Sequence, residues 1–275
     1  MPRASAMRVA RAKDFVVPES GTITFPTFPV LGMSICPLQI PQVLQIFDQW
    51  VRERSQCHYV VQMGMHGASE ALMNPRLWEI MAQADLRTMD GTPMRWLARM
   101  HGFGYARRRV YGPELMDTLL RSGPKYRHYF YGNRAADRLA VLCRKKYGTQ
   151  VVGTYSLPIW PLPEREKAKI AQAIEAAAPD FVWVGLGTPR QDQWMAEFKN
   201  RLSVPVLVGV GAAYDFLTGR LRQAPVWMQE HGLEWLYRFS HEPKRLWRRY
   251  LVHGPNFVWN VGLELAGLRK FHQSG

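Results

Sequence analysis

The chain has few cysteines, few acidic residues and no long apolar run, and each shortage narrows the possibilities. Its three cysteines, Cys36, Cys57 and Cys143, are an odd number without C-x-x-C or zinc-type spacing. We therefore expect reduced thiols, as in the cytosol. The longest apolar run, 204–217, is broken by proline, glycine and aspartate and falls short of the roughly 20 residues that span a bilayer. Residues 1–13 are basic but lack an apolar segment, so we expect no secretory signal.

Several common catalytic motifs are also missing. The sequence contains no D-x-D, no H-E-x-x-H, no Walker A motif and no G-x-S-x-G. Its eight histidines do not show the spacing of a zinc pair. We therefore expect no metal, and in particular no D-x-D-held metal on a nucleotide-sugar.

Basic residues are in large excess. Lys and Arg number 36 against 22 Asp and Glu, which gives a net charge of +14. Such a charge attracts nucleic acid, nucleotide phosphates or an anionic membrane face, and composition alone does not choose among them. The 275 residues, 47% of them apolar, suffice for one large domain or two closely joined lobes.

Short apolar segments alternate with helix-like segments along most of the chain. This alternation predicts an α/β fold with a Rossmann-like parallel sheet flanked by helices. The predicted strands are 30–36, 58–63, 86–89, 126–131, 150–155, 181–186 and 206–210. The predicted helices are 41–54, 70–84, one with Thr92 as N-cap and Pro93 at its first position, 134–147, 164–178 and 190–202.

Changes in composition predict three parts. Residues 1–25 form a flexible basic lead, and residues 26–223 form the α/β core. Within the core we expect an N-terminal lobe to about residue 123 and a nucleotide-binding lobe over about 124–223. Residues 224–275 are rich in Trp and Arg and are divided by prolines, which predicts a helical appendage.

Three glycine turns follow predicted strands and would bring backbone N–H groups to one edge of the sheet. That edge suits a phosphate or diphosphate, although tight turns without a ligand would show the same pattern. The candidate residues are Gly132, Asn133, Gly187, Thr188 and Gly211. Neither G-x-G completes G-x-G-x-x-G, which counts against a nicotinamide-dependent oxidoreductase.

Three polar side chains near these turns each allow two interpretations. Asp90 ends a strand before a helix N-terminus, where it could be an ionised general base or a turn residue. Gln191 could contact a sugar or phosphate, or it could complete a T-x-x-Q capping box with Thr188. Asp215 could accept hydrogen bonds from a ribose or a uracil, or simply sit at a helix N-terminus.

The appendage concentrates arginine beside tryptophan. Arg245, Arg248 and Arg249 have the spacing of one helical face. A guanidinium group can donate two parallel hydrogen bonds to diphosphate oxygens, so this face could bind a diphosphate. The ordinary alternative is a basic face exposed to solvent. Because tryptophans lie nearby, contact of this face with phosphate or with a membrane is a second interpretation.

Taken together, these segments resemble the WecG/TagA/CpsF glycosyltransferase family (family 26) over about residues 30–258. The matching segments are VGLGTPRQDQW at 184–194, VGVG at 208–211 with Asp215 and Gly219, GLEWLYR at 232–238, EPKR at 242–245, Asp90-Gly91 and RVYG at 109–112.

The resemblance implies a metal-independent inverting enzyme without a cofactor. It would move a sugar from a UDP-sugar to a polyprenyl-diphosphate-linked acceptor in exopolysaccharide or related cell-surface polysaccharide synthesis. It also implies a peripheral protein on the cytoplasmic face of the membrane.

The resemblance further assigns roles to residues. Asp90 is the implied general base, and Gln191 and Arg109 are implied to line the active site. The appendage is implied to contact the membrane and to supply Arg238, Arg245 and Arg248 to the diphosphate.

The sequence departs from the family pattern after the second predicted strand. Met63 stands near a usual threonine, and the segment with His66 replaces a P-N-A-like run, so both are candidates for sugar or acceptor contact. The expected partners are the UDP-sugar, the lipid-linked sugar and an anionic membrane surface, without nucleic acid. Self-association with a second copy stays open. The alternative is a non-catalytic basic α/β protein that binds membrane or nucleic acid.

Overall fold

A parallel sheet of six strands forms the centre of the molecule. The computed structural model describes residues 23–156 and 160–271, so most of the predicted basic lead lies outside the described residues. The strands follow the order β4-β3-β8-β7-β5-β6, and every neighbouring pair is parallel. They are β3 (His58–Met63), β4 (Leu86–Met89), β5 (Arg127–Gly132), β6 (Gln150–Ser156), β7 (Phe181–Val184) and β8 (Val206–Gly209). The predicted Rossmann-like class is confirmed.

Helices cover both faces of this sheet. Successive residues of β7 point to opposite sides, so that Val182 and Val184 join one apolar core while Phe181 and Trp183 join the other. Both cores are closed to water, which explains why the strands are apolar at nearly every position. The helices of the core are α1 (Ile40–Glu53), α2 (Met65–Met73), α3 (Pro75–Ala82), α4 (Thr92–Met100), α5 (Gly112–Leu120), α6 (Ala136–Tyr147), α7 (Glu164–Ala177), α8 (Arg190–Phe198) and α9 (Ala213–Leu217).

Three sequence predictions of local structure were wrong. The strand predicted at 30–36 is a hairpin of β1 (Phe28–Val30) and β2 (Met33–Ile35), which turns at Leu31 and Gly32, both with positive φ. The helix predicted at 70–84 is divided between α2 and α3, because the Asn74 side chain caps α3 by accepting a hydrogen bond from the Leu77 amide at 3.2 Å.

The third error concerns the start of α4. Gly91, with φ of 88°, is the N-cap, and Thr92 is the first helical residue instead of the cap. A backbone with positive φ suits glycine and disfavours threonine, which places the cap one residue earlier than predicted.

The appendage is a chain of short helices, as predicted from its prolines. They are α10 (Val226–Glu230), α11 (Glu234–His241), α12 (Pro243–Trp247), a π-helix (Arg248–His253) and α13 (Gly254–Leu265). Hydrogen bonds fasten it to the core; for example, the Leu31 amide donates to Glu264 at 2.8 Å, and Asn256 donates to the Ser69 hydroxyl at 2.9 Å. Within the described ranges, no helix combines the length and apolar character that crossing a bilayer requires.

Candidate active site

The carboxyl ends of the parallel strands meet at one edge of the sheet, where two clefts open side by side. The first, about 470 Å³, is called here the polar cleft because glycine turns and arginines line it. The second, about 480 Å³, is called the apolar cleft because aromatic and aliphatic side chains dominate it. Asp90, which directly follows β4, lines both clefts.

The polar cleft brings together most of the residues singled out from the sequence. They come from five different strand ends and from the appendage, which are distant in the chain. These residues are His66, Asp90, Asn133, Gly187, Thr188, Gln191, Gly211, Asp215, Arg238, Arg245 and Arg248. Proximity is thereby established for them, while their individual roles stay predictions.

Gln191 joins two of the glycine turns. Its side-chain oxygen accepts hydrogen bonds from the Gly187 amide at 3.1 Å and the Gly211 amide at 2.9 Å. The capping-box interpretation was wrong, since Pro189 is the N-cap of α8 and no side chain caps the helix. Gln191 therefore fixes the spacing of two turns beneath the cleft.

A second polar link crosses the cleft between β5 and α9. The Asn133 amide donates to Asp215 at 2.9 Å, and Arg220 pairs with the same carboxylate at 3.3 Å. Asp215 does lie in the first turn of a helix. Asn133 also accepts from the Ala135 amide at 2.9 Å, which orders the turn after β5. Both side chains are thus held in fixed positions where they line the cleft.

The Asp90 side chain is half-buried, and its surroundings shift its pKa in opposite directions. Burial raises the pKa of this carboxyl, and Glu234 raises it further, while Arg109, Arg249 and Arg238 act to lower it. The net effect is a raised pKa. The dipole of α4, which was expected to keep Asp90 ionised, is therefore not the dominant influence. Its Oδ1 atom has no hydrogen-bond partner among the described residues. Such an acceptor suits a proton taken from a bound hydroxyl.

Arg109 lies beside Asp90 in the apolar cleft and connects the core to the appendage. Its guanidinium donates to the Glu234 carboxylate on α11 and stacks 4.1 Å from the centre of the Tyr111 ring. Burial lowers the Arg109 pKa, but the negative charges of Asp90 and Glu234 outweigh it and raise the pKa overall. Arg109 therefore stays cationic next to the candidate base.

The arginines of the appendage differ in how they are held. Arg245 pairs with Glu242 at 2.7 Å, and Arg248 lies 5.7 Å from the Trp247 ring. Arg238 lies 5.4 Å from the Phe216 ring, and its buried Nε atom has no hydrogen-bond partner in the described part of the chain.

Arg249 lines the candidate site, although residue spacing in the sequence assigned it no role beyond its place on a basic helical face. It lines both clefts, and burial followed by the charge of Arg238 lowers its pKa. It forms no ion pair with any residue of the ranges 23–156 and 160–271. Its spacing from Arg245 placed it on the cationic face, but only the π-helix directs it to the junction with Asp90.

The apolar cleft lies between α4 and the appendage. Tryptophans form part of its rim, since Trp96 and Trp235 line it and remain 54% and 45% exposed. Its other apolar or uncharged lining includes Met65, Pro93, Tyr250, Pro255 and Val258. Apart from Asp90, its charged lining residues are Arg109, Glu234, Arg238 and Arg249, with His66 as a further titratable group.

Two candidates from the sequence are placed away from the cleft walls. Met63 is fully buried in a core below the sheet edge and lines neither cleft, so the structure contradicts its assignment to sugar or acceptor contact. Gly132 is also buried, at φ 110°, where a Cβ atom would lie 2.7 Å from the Leu186 side chain. Its contribution is the close approach of two turns.

His66 does line both clefts, and it has an unexpected neighbour. His66, Glu70 and His253 place one donor atom each within 4.8 Å of one another, although the sequence showed no zinc-like spacing. His66 and Glu70 are one turn apart on α2, whereas His253 ends the π-helix. Only the docking of the appendage brings the third residue close.

Comparison with known proteins gives two concordant findings. The family model described as "Glycosyl transferase WecG/TagA/CpsF family" matches residues 28–271. A protein of Bacillus spizizenii, named N-acetylglucosaminyldiphosphoundecaprenol N-acetyl-beta-D-mannosaminyltransferase, is 25% identical over 254 residues. That alignment covers 90% of this chain and 96% of the relative.

Proposed function

This chain belongs to the WecG/TagA/CpsF glycosyl transferase family, and on that basis we propose that it transfers a sugar from a UDP-sugar to a polyprenyl-diphosphate-linked acceptor in cell-surface polysaccharide synthesis. The relative's name specifies a lipid-diphosphate-linked sugar as acceptor. The observation that carries the proposal is the position of Asp90, at the junction of a polar, arginine-rich cleft and an apolar one.

The polar cleft is suited to the nucleotide donor. Backbone amides of the glycine turns, next to helix N-termini, favour a diphosphate. Asn133 and Asp215 provide fixed hydrogen-bonding groups for a ribose or a uracil. Because Gln191 uses its oxygen to hold two turns together, it acts on the donor by positioning the amides around it.

The apolar cleft is suited to the acceptor. Its aromatic lining offers apolar surface to the first part of a polyprenyl chain, and Arg109 offers charge to the adjoining diphosphate. The attached sugar would then extend toward Asp90. His66 lines the same junction and is a candidate for contact with either sugar.

Transfer at this junction follows a single displacement. Asp90 removes the proton of an acceptor hydroxyl while its oxygen bonds to the anomeric carbon of the donor sugar. The bond from that carbon to the diphosphate breaks on the opposite side, which inverts the configuration. UDP leaves with the bonding electron pair.

The negative charge that develops on UDP is met by arginine. Arg238, Arg245, Arg248 and Arg249 all line the polar cleft and can take the part that a divalent cation plays in other sugar transferases. We propose that transfer requires no Mg²⁺ or Mn²⁺ at the diphosphate. Rates measured with and without these ions should agree.

The test is to incubate the purified full chain with a panel of UDP-sugars and synthetic polyprenyl-diphosphate-linked sugars. We expect one donor to give a product heavier by one sugar residue, with stoichiometric UDP and an inverted anomeric centre by NMR. Absence of transfer, combined with salt-sensitive polyanion binding and no UDP affinity in calorimetry, would overturn the proposal in favour of a non-catalytic basic module.

A further inference from the structure

Beyond the transferase chemistry, we propose that His66, Glu70 and His253 form a zinc site that ties the appendage to the core. Their donor atoms lie within 4.8 Å of one another in the described structure. Donors around tetrahedral zinc are about 3.4 Å apart, given bond lengths of about 2.1 Å. Small rotations of the Glu70 and His253 side chains close this difference.

The arrangement has the composition of a known class of zinc site. Two imidazoles and one carboxylate are a common zinc ligand set, with a fourth position left for water. The two ligands on α2 are four residues apart, so they share one helical face, and His66 Nε2 already lies 3.1 Å from Glu70 Oε2. The third ligand comes from the π-helix, so the site forms only when the appendage is docked.

A second layer of hydrogen bonds orients His253. Its Nδ1 atom faces the Ser69 hydroxyl at 3.4 Å, and the same hydroxyl accepts a hydrogen bond from Asn256 at 2.9 Å. A metal-bound imidazole commonly uses its other ring nitrogen for such a contact. This leaves Nε2 of His253 to face the metal.

The electrostatics make Glu70 indispensable to the site. Arg249 acts electrostatically on both His66 and His253, so its positive charge lies close to the proposed ligands. The positive charge of Arg249 disfavours the binding of a zinc ion close to it. The Glu70 carboxylate offsets that charge, so its removal should weaken zinc binding at least as much as the loss of either histidine.

Zinc at this position would restrain the positions of Arg248 and Arg249 through the backbone of the π-helix. Arg248 and Arg249 begin the π-helix that His253 ends, and both line the polar cleft. Fixing one end of this helix against α2 therefore limits the movement of the cationic wall of the cleft.

The test uses the full chain, stripped with a chelator, dialysed and titrated with ZnCl₂ in a competition assay. We expect one zinc per chain, a rise in the thermal midpoint, and slower proteolysis of the appendage. Zinc-edge absorption should show two imidazoles and oxygen ligands at about 2.0–2.1 Å. None of these readouts requires sugar transfer, so their outcome is independent of the proposed function.

Variants define which residues hold the metal. Removing a residue that hydrogen-bonds to a metal ligand weakens metal affinity by about 10–100-fold, and we expect a loss in this range for Ser69→Ala. Removing a ligand itself, in His66→Gln, Glu70→Gln or His253→Gln, should weaken affinity by at least about 100-fold. The control is His231→Gln with His241→Gln, two exposed histidines of the appendage, which should bind zinc as the parent does. Lack of stoichiometric zinc in the parent chain would overturn the proposal, as would zinc affinity in the His66 or His253 variant equal to that of the parent.

Discussion

Asp90 is a half-buried carboxylate, and the role proposed for it conflicts with the stability of the fold. Desolvation raises its pKa, so the folded protein disfavours the ionised form that the proposed catalysis needs more than water does. Stability from a group whose pKa rises on folding is present at low pH and declines as the pH rises through the folded value. Ionisation of this side chain therefore lowers the stability of the fold.

Asp90→Asn should accordingly separate activity from stability. We expect kcat to fall by about 10²–10⁴-fold, the usual contribution of a general base, with UDP affinity unchanged and a thermal midpoint equal to or above that of the parent. Steady-state kinetics, calorimetry and thermal unfolding check the three parts. Asp137→Asn, at an exposed site outside both clefts, is the control, and full activity in the Asp90 variant would remove this residue from the mechanism.

The pH dependence of transfer follows from the same carboxyl. Because the base must be deprotonated, kcat/KM should fall as the pH drops through a pKa above the ordinary aspartate value of about 3.9. Glu234→Gln removes a negative neighbour that raises this pKa, and it also frees Arg109 to act on Asp90. The acidic limb of the profile should therefore move to lower pH in that variant. An acidic limb that stays in place or moves to higher pH would show that Glu234 does not raise the pKa of the base.

Gln191 illustrates a residue whose role is positional. Gln191→Ala leaves the amides of Gly187 and Gly211 without their acceptor, which should lower the unfolding free energy by about 1–3 kcal/mol and raise the KM for the donor. Gln191→Glu keeps an acceptor oxygen and should retain more of both properties. Denaturant unfolding and donor titrations make the comparison, with Gln193→Ala as the neighbouring control.

At the scale of elements, the sequence predicted what depends on local pattern. The strands β3 and β4 were predicted with their observed bounds, because continuous apolar segments with clear ends leave little choice. The sheet edge carrying the glycine turns followed from the same pattern.

Elements set by a single residue were missed. Asn74 stops one helix and starts the next, and the hairpin at Leu31 requires a non-glycine residue at positive φ, which sequence patterns disfavour. The T-x-x-Q pattern made a capping box one of two interpretations of Gln191, yet its side chain bonds across to a distant turn. Contacts between segments far apart in the chain decide such cases, and local spacing carries no record of them.

The π-helix at Arg248–His253 could not be predicted from residue spacing in the sequence. It directs Arg249 to the junction of the clefts, where burial lowers the guanidinium pKa and no carboxylate within the described ranges pairs with it. A cation held in this way is costly to the fold and is suited to a ligand that brings negative charge.

Arg249→Gln should therefore have opposite effects on stability and activity. We expect the thermal midpoint of the free protein to rise, because a partly desolvated guanidinium without an ion pair is removed, while kcat falls by about 10–100-fold through weaker stabilisation of the leaving UDP. Arg138→Gln, on the exposed side of α6, is the comparison and should change neither quantity. A fall in both quantities would mean that Arg249 serves the packing of the appendage.

Over the whole molecule, charge and aromatic side chains are available for contact with a membrane, with exposed arginines in a smaller cavity that shares Thr92 and Arg109 with the apolar cleft. The chain carries a net charge of +14, and Arg107 and Arg108 are exposed near α4. Trp96 and Trp235 stand half-exposed on the cleft rim, one from the core and one from the appendage. Basic side chains are attracted to anionic lipid at about 1 kcal/mol each, and tryptophan prefers the headgroup region.

These two contributions can be distinguished by salt in a vesicle sedimentation assay. We expect binding to phosphatidylglycerol vesicles that exceeds binding to phosphatidylcholine and weakens as salt rises. Arg107→Gln with Arg108→Gln should reduce binding mainly at low salt, whereas Trp96→Ser with Trp235→Ser should reduce it at every salt concentration. Val141→Ser, at an exposed apolar site on α6 away from both clefts, is the control for a general loss of apolar surface. If the Val141 variant lost as much binding as the tryptophan pair, the cleft rim would not be the surface that meets the membrane, and a lipid-linked acceptor would have to reach Asp90 by another path.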